Sequence, residues 1–433
     1  MFFWKFYSFQ SFYFTLINLS LFKLHIDDLI CFFTGSPIPM NPSRNHIVFV
    51  QYGDYREAFQ RFAAGGPENY AAQRYSIEFV GGLARSMDVT VIALPSKSHD
   101  DLLPNGVRSI GTGWTNNRKL WALFKTLEDL KPSHLIVSTP LMPVLMWGLF
   151  RCKRVLPNFA DSFSSTSIRG RFFEGLLARI LNLKKFEFIT NHNFPASRNL
   201  VKIGVHSNKI LPWDWPAHAT PEMNMPKSAP DPSKEFTLFY VGSVLESKGV
   251  GDLIEAAAIL RSRRVDVRVT IAGTGAIDEM RLRAARWGIS EYVDFKGRVS
   301  NSDVLQYMRN HDAVVVPSRH TYPEGLPMAI YEGLCSRTPL LVSSHPMFVP
   351  VLGNQDGVLM FEEGNASSLA DAIETLIRNP TKYLEVSKSS AEAWSAIQVP
   401  LKTGELITRW ISGSPDDLLA LQAFSLDQFD RKA

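Results

Sequence analysis

From His46 onward the chain alternates short apolar runs with longer stretches in which apolar residues recur every three or four positions. The runs at 47–50, 89–94, 107–110, 134–137, 154–156 and 186–190 are too short for helices and mostly rich in β-branched residues, so they predict strands. Between them, 69–85, 119–130 and 172–183 carry a helical period, with Tyr75, Phe79, Val80 and Leu83 on one face of the first. Strands alternating with helices predict a parallel sheet covered on both faces. Ligands of such sheets sit outside the carboxyl ends of the strands. That directs attention to Ser138-Thr139, to Asn158 through Ser162 with Asp161 among them, and to Asn191, His192 and Asn193.

The alternation stops at 217–235, which holds four prolines and no period, and reads as a linker. It resumes with strands at 236–241, 267–272, 293–299, 313–316 and 338–343. A helix with Val250, Leu253, Ile254, Ala257 and Leu260 on one face follows the first of these. Asn301 or Ser302 is expected to cap a helix ending at Asn310, and Asn365 another with Leu369, Ile373, Leu376 and Ile377 buried. The predicted organisation is a first α/β domain over 40–216, the linker, and a second α/β domain over 236–398. A helix within 399–412 crosses back to the first domain, and a loose tail fills 413–433.

Residues 1–39 do not match the rest, being crowded with Phe, Tyr and Leu. Lys23, His25, Asp27 and Asp28 interrupt the apolar run, which falls short of the ~20 residues of a spanning helix. No basic n-region and small-residue cleavage site marks a signal peptide. Met40 directly precedes Asn-Pro-Ser-Arg-Asn-His and then the first strand, so the segment reads as a mistranslated leader, with a membrane-surface anchor as the alternative.

Composition changes the picture little. The 433 residues are 45% hydrophobic and 20% charged, as in an ordinary globular protein with room for two or three domains. A net charge of +4 is too slight to imply nucleic acid, and allows a loose contact with an anionic membrane. Cys31, Cys152 and Cys335 show no ligand spacing and read as reduced thiols, which points to a cytoplasmic protein, peripheral at most on the inner face of the membrane. With no Asp-x-Asp motif, no metal is expected, and no cofactor beyond a donor substrate.

The chemistry concentrates in PSRHTYPEGLPMAIYEGLCSRTP, from Pro317 to Pro339. A buried strand ends at Pro317, a polar loop follows, and Pro327 suits the first turn of a helix. Glu324 then lies just outside the helix N-terminus and Glu332 within the helix. A helix N-terminus beside a tight loop is an anion site. An ionised carboxylate accepts hydrogen bonds from two vicinal hydroxyls, so the pair suits a ligand with phosphates and sugar hydroxyls, a nucleotide-sugar. The second domain opens with a similar cradle, Gly242-Ser243 through Lys248-Gly249 before a helix, without Walker spacing. Gly65-Gly66 between the first strand and its helix, and Gly273-Thr-Gly275, are weaker signals of close backbone approach. The residues 51–64 before Gly65 are expected to form a long functional loop.

The E-x(7)-E spacing of Glu324 and Glu332, with Pro317-Ser318 before it and Thr338-Pro339-Leu340-Leu341-Val342-Ser343 after it, resembles the donor site of glycosyltransferase family 4. That resemblance implies the GT-B fold, two Rossmann-like doubly wound domains facing a cleft. It implies a retaining transfer of a hexose from a UDP- or GDP-sugar to a hydroxyl of a glycan or lipid-linked saccharide, as in cell-surface polysaccharide synthesis. By resemblance Glu324 reads the sugar and Glu332 the ribose. Lys248 and the backbone of Gly325, Leu326, Pro327 and Met328 hold the diphosphate. Gly242, Gly273, Gly297 and Val299 border the nucleotide, and Gly65 and Gly66 face the acceptor and the donor phosphates. Asp161 stands about where many members carry a histidine, and His192 is a second candidate beside the sugar. Ser243 departs from the family pattern, which places an arginine there; a serine offers one neutral hydrogen bond, so affinity leans on Lys248 and the helix dipole. Two alternatives remain: a nucleotide-sugar epimerase on the same fold, and a nucleotide-sugar binding module without turnover.

Overall fold

The computed structural model describes residues 45–114, 120–163, 165 and 167–431. The segment 1–39, Met40, Cys31 and the expected helix start at Lys119 lie outside them. In chain order the first elements are β1 (His46–Gln51), α1 (Tyr55–Ala63), α2 (Gln73–Leu83), β2 (Asp88–Ala93), β3 (His99–Leu102), β4 (Val107–Gly111), α3 (Leu120–Leu130), β5 (His134–Val137), α4 (Met142–Arg151), β6 (Arg154–Phe159), α5 (Ile168–Leu181), β7 (Ile189–His192), α6 (Phe194–Lys202) and β8 (Ile210–Trp213). Next come β9 (Phe236–Val241), α7 (Val250–Ser262), β10 (Val267–Ala272), α8 (Ile277–Arg286), β11 (Val293–Gly297), α9 (Asn301–Asn310), β12 (Ala313–Val316), α10 (Met328–Ser336), β13 (Leu340–Ser343), α11 (Val349–Leu352), β14 (Val358–Phe361), α12 (Ala366–Arg378) and α13 (Pro380–Ile397). The chain closes with α14 (Thr403–Ser412), α15 (Pro415–Gln422) and α16 (Leu426–Asp430).

Two compact units result. Among the described residues, the first comprises those up to Gly66, those from Ala72 to Trp215 and those from Val399 onward; the second comprises Pro67–Ala71 and Pro216–Gln398. The first unit holds an eight-stranded sheet of order β3-β4-β2-β1-β5-β6-β7-β8, parallel except for β3. Strands such as β1 and β5 are buried on both faces, and each face of the sheet has its own core. One gathers Val48, Leu135, Trp147 and Phe159, the other Phe49, Ile136, Trp213 and Trp410. The second unit holds a parallel six-stranded sheet of order β11-β10-β9-β12-β13-β14. A core on it includes Leu238, Ile254, Val269, Val315, Ile373 and Tyr383.

Several expectations are corrected. The residues before Gly65 form the helix α1, capped by Asp54, whose carboxylate accepts from the Glu57 N–H at 3.0 Å. Gly65 and Gly66 end that helix: their N–H groups donate to Phe62 O at 3.0 Å and Arg61 O at 2.8 Å. The helix expected from Asn69 begins only at Gln73. The run at 186–190 pairs as a strand only from Ile189, although Phe186 and Phe188 are buried. The cap of α9 is Ser300, because Asn301 is already helical and its side chain turns elsewhere. The tail is not loose: α15 is capped by Ser414, whose hydroxyl accepts from the Asp417 N–H at 3.1 Å, and Leu421 and Leu426 are wholly buried. A serine cap followed by proline at the first helical position is the signal that predicts this helix.

Candidate functional site

In the second unit the chain order reverses between β9 and β12, which lie side by side with β10 and β13 beyond them. A doubly wound sheet offers its ligand crevice at such a reversal. The segments leaving these two strand ends are 242–249 and 317–327, the two stretches singled out above. They are tied to one another. Gly249 adopts φ 71°, and a Cβ there would stand 1.9 Å from the Pro317 carbonyl oxygen, so only glycine permits the approach. The Arg319 N–H donates to Ser247 O at 3.0 Å. Its guanidinium donates to Asp252 Oδ2 at 2.8 Å and pairs with Glu246 at 2.9 Å; Glu246 also takes Arg283 at 2.6 Å. Arg319, Glu246, Asp252 and Arg283 escape sequence reasoning, because the pairing crosses two loops far apart in the chain. The adjacency of Arg319 to Pro317-Ser318 is the one available hint.

Lys248 and Glu324 meet in this tie. The Lys248 ammonium pairs with Glu324 Oε1, and both side chains are largely buried, 12% and 7% exposed. The Ser318 hydroxyl donates to the same carboxylate oxygen at 2.7 Å. The ammonium also lies 4.1 Å from the centre of the Tyr322 ring, on whose face a cation is attracted. Tyr322 and Ser318 are further site residues that the spacing argument did not single out.

Pro327 is the N-cap of α10 rather than a residue of its first turn; its ψ of 144° is extended, and the helix begins at Met328. No side chain caps α10, and none caps α7 after Gly249. Ser167, Asn193 and Asn365 cap α5, α6 and α12 with their side chains, whereas α2, α4, α8, α9 and α14 also lack side-chain caps. The first N–H groups of a helix have no partner within it. Two helix starts left without side-chain caps, both at one sheet reversal, suit an anion with two phosphates. Gly325 is half-buried and Leu326 buried beside the start of α10.

Glu332 is half-buried on α10, and Asn301 Nδ2 donates to its Oε1 at 2.9 Å. Burial pushes its carboxyl up to about 7, against the Asn301 hydrogen bond, which lowers it. Three of the expected nucleotide-bordering glycines come together at the ends of β9, β10 and β11. The Gly242 N–H donates to Ala272 O at 3.0 Å and the Gly273 N–H to Gly297 O at 2.7 Å. Gly273 has φ 148°, and a Cβ there would meet the Gly242 oxygen at 1.7 Å, so this glycine is required by loop packing. Val299, half-buried, follows β11. Ser243 supplies a carbonyl to the Tyr240 hydroxyl at 2.7 Å.

Asp161 and His192 belong to the first unit, at the ends of β6 and β7. Asn191 joins them: its Oδ1 accepts from the Asp161 N–H at 3.2 Å and the His192 N–H at 3.0 Å. Burial pushes the Asp161 carboxyl up to about 7, and its Oδ2 has no partner among the described residues. Both nitrogens of the His192 ring are engaged. Nε2 donates to Asp214 Oδ1 at 3.1 Å. Nδ1 faces the amide of Asn193 at 3.3 Å, whose oxygen is taken by the Ala196 N–H. That arrangement sets the tautomer with the proton on Nε2. Asp214, 3% exposed, is a partner the sequence did not announce. Gly65 and Gly66 belong to the same unit and close α1. Among the described residues no group of three or more His, Cys, Asp and Glu is placed to hold a metal ion.

Residues 222–393 match the model of the family described as glycosyl transferases group 1. The D-inositol 3-phosphate glycosyltransferase of Arthrobacter is 27% identical over 165 residues, 37% of this chain and 38% of its own. The phosphatidyl-myo-inositol mannosyltransferase of Mycobacterium leprae is 28% identical over 178 residues, 40% of this chain and 46% of its own. The chain thus spans less than half the length of these curated relatives. Among solved structures, Anabaena HepE in complex with UDP and glucose superposes with a TM-score of 0.62 at 13% identity, over 85% of this chain and 99% of that one. The fold is therefore GT-B, with two Rossmann-like units, and residues 222–393 are similar to the glycosyl transferases group 1 family, in agreement with the resemblance carried by Glu324 and Glu332.

Proposed function

We propose that this protein is a retaining hexosyltransferase that takes its sugar from a UDP- or GDP-sugar and passes it to a hydroxyl of a glycan or lipid-linked saccharide. The observation that carries the reading is the reversal between β9 and β12, where two helix starts without side-chain caps, a lysine and a buried glutamate converge. The helix starts and Lys248 hold the diphosphate, Glu324 the sugar hydroxyls and Glu332 the ribose. Support comes from relatives whose names give a mannosyltransferase and a glycosyltransferase, and from a structural neighbour bound to UDP and glucose. Retention needs no protein nucleophile in this reading. The leaving phosphate accepts the acceptor's proton on the face from which it departs, and the protein contributes positioning and charge stabilisation. No metal enters the scheme, so chelation leaves turnover unchanged.

A lipid-linked acceptor at a membrane surface is favoured by α5. Its buried side carries Leu177, Ala178 and Leu181, yet its outer side exposes Ile168, Phe172 and Leu176, flanked by the exposed Arg169, Arg171 and Arg179. An apolar stripe edged by cations suits an anionic lipid interface. Among the described residues no helix is long and apolar enough to cross a membrane. The primary test screens UDP, GDP and their hexose conjugates by thermal shift, then follows transfer to an acceptor panel. A stabilising nucleotide-sugar consumed only when acceptor is present supports transfer. Consumption without acceptor points to the epimerase, and binding without product to a binding module.

A further inference from the structure

The Lys248–Glu324 pair does more than line the site. We propose that it is the device by which the site distinguishes a nucleotide-sugar from the bare nucleoside diphosphate, an inference that rests on reading this site as the donor site. The two side chains neutralise each other, and both are largely buried. They rest on a fixed base. The Ser318 hydroxyl donates to Glu324 at 2.7 Å, while the Ser318 carbonyl accepts from the Ser343 hydroxyl at 2.6 Å. The Tyr322 ring under the ammonium is held through its carbonyl, which accepts from His345 Nε2 at 3.2 Å. His345 Nδ1 takes the Met347 N–H at 3.1 Å, which leaves the proton on Nε2.

A diphosphate at the start of α10 draws the Lys248 ammonium toward itself. Glu324 is then a buried carboxylate without its cation, beside new negative charge, and both changes oppose binding. A bare nucleoside diphosphate leaves it in that condition. A nucleotide-sugar does not, because the hydroxyls of its sugar donate to the carboxylate in place of the ammonium. The sugar therefore contributes affinity through Glu324 only once Lys248 has been drawn away. Reciprocity requires that a hexose and a nucleoside diphosphate, offered separately, assist each other.

The experiment titrates the full chain and Glu324→Gln by calorimetry with UDP, GDP, UDP-glucose and GDP-mannose. For the nucleotide that binds, the parent should prefer the sugar conjugate by about tenfold or more. Glu324→Gln should bind the bare diphosphate tighter than the parent and lose most of that preference. A second measurement needs no variant: excess free glucose or mannose should tighten the diphosphate on the parent. Glu324→Gln that binds the diphosphate no tighter, a preference that survives in the variant, or no effect of free hexose on the parent overturns the inference. In those cases the donor-site reading stands, since nucleotide still binds. A parent that binds neither nucleotide nor conjugate overturns both.

Discussion

At the carboxyl ends of the two sheets, similar side chains stand in opposite conditions. After β9 and β12, charged groups pair across loops, the helix starts lack side-chain caps, and the glycines bring backbones close together. After β6, β7 and β8, most polar groups bind one another, although Asp161 Oδ2, Ser162 Oγ and Asp214 Oδ2 have no partner among the described residues. Asn191 binds Asp161 and His192 through their backbones, Asp214 and Asn193 occupy the His192 ring, and Asn193 caps α6. The first arrangement leaves donors for a ligand; the second uses its hydrogen bonds to hold its own strands in place. Position at a strand end is therefore not enough to mark a binding residue. What matters is whether the groups there are consumed by the fold.

The comparison breaks most sharply at Lys248. Lys248→Ala should weaken nucleotide-sugar binding by roughly 10- to 100-fold, the worth of a charge-assisted contact, while the melting temperature of the first unit stays put. Unchanged calorimetric affinity at low salt would remove Lys248 from the site. The converse holds in the first unit. Asp214→Ala removes the buried Asp214 partner of His192 Nε2, which should cost about 2 kcal/mol and lower that unit's melting temperature by roughly 4–8 °C without altering nucleotide affinity. Turnover lost at full stability would show instead that the His192–Asp214 pair takes part in chemistry.

Glu332 sharpens the contrast through pH. Its carboxyl sits at about 7, above the ordinary carboxylate range, and ribose hydroxyls favour the ionised form. Nucleotide binding should release a proton and strengthen roughly tenfold as pH rises from about 6 to about 8, a trend that Glu332→Gln abolishes. The sign reverses for stability. A carboxyl raised in the folded state favours folding at low pH, and that contribution is lost as pH rises through about 7. Without nucleotide, melting should therefore drift downward over that window, and Glu332→Gln or Asp161→Asn should each flatten the drift. The smallest effect belongs to α5. Phe172→Glu should lower co-sedimentation with anionic vesicles several-fold and leave nucleotide affinity alone. Equal sedimentation of the variant would detach the outer stripe of α5 from any membrane role.

Period and punctuation in the sequence determined the two alternating α/β halves and the strand–loop–helix around Glu324, because burial on both faces of a parallel sheet leaves short apolar runs that can be read locally. The E-x(7)-E spacing likewise identified the pair of carboxylates before any coordinates. Tertiary structure alone decided the partners. Lys248 and Glu324, Arg319 and Asp252, Asn301 and Glu332, and His192 and Asp214 are joined across |i−j| of 76, 67, 31 and 22. No local pattern encodes such pairs; they exist because a parallel sheet returns each strand end to the same edge. The same holds for the tail, whose partly acidic look conceals two helices that bury Leu421 and Leu426. Their apolar residues are decisive only where the rest of the first unit supplies a surface to receive them.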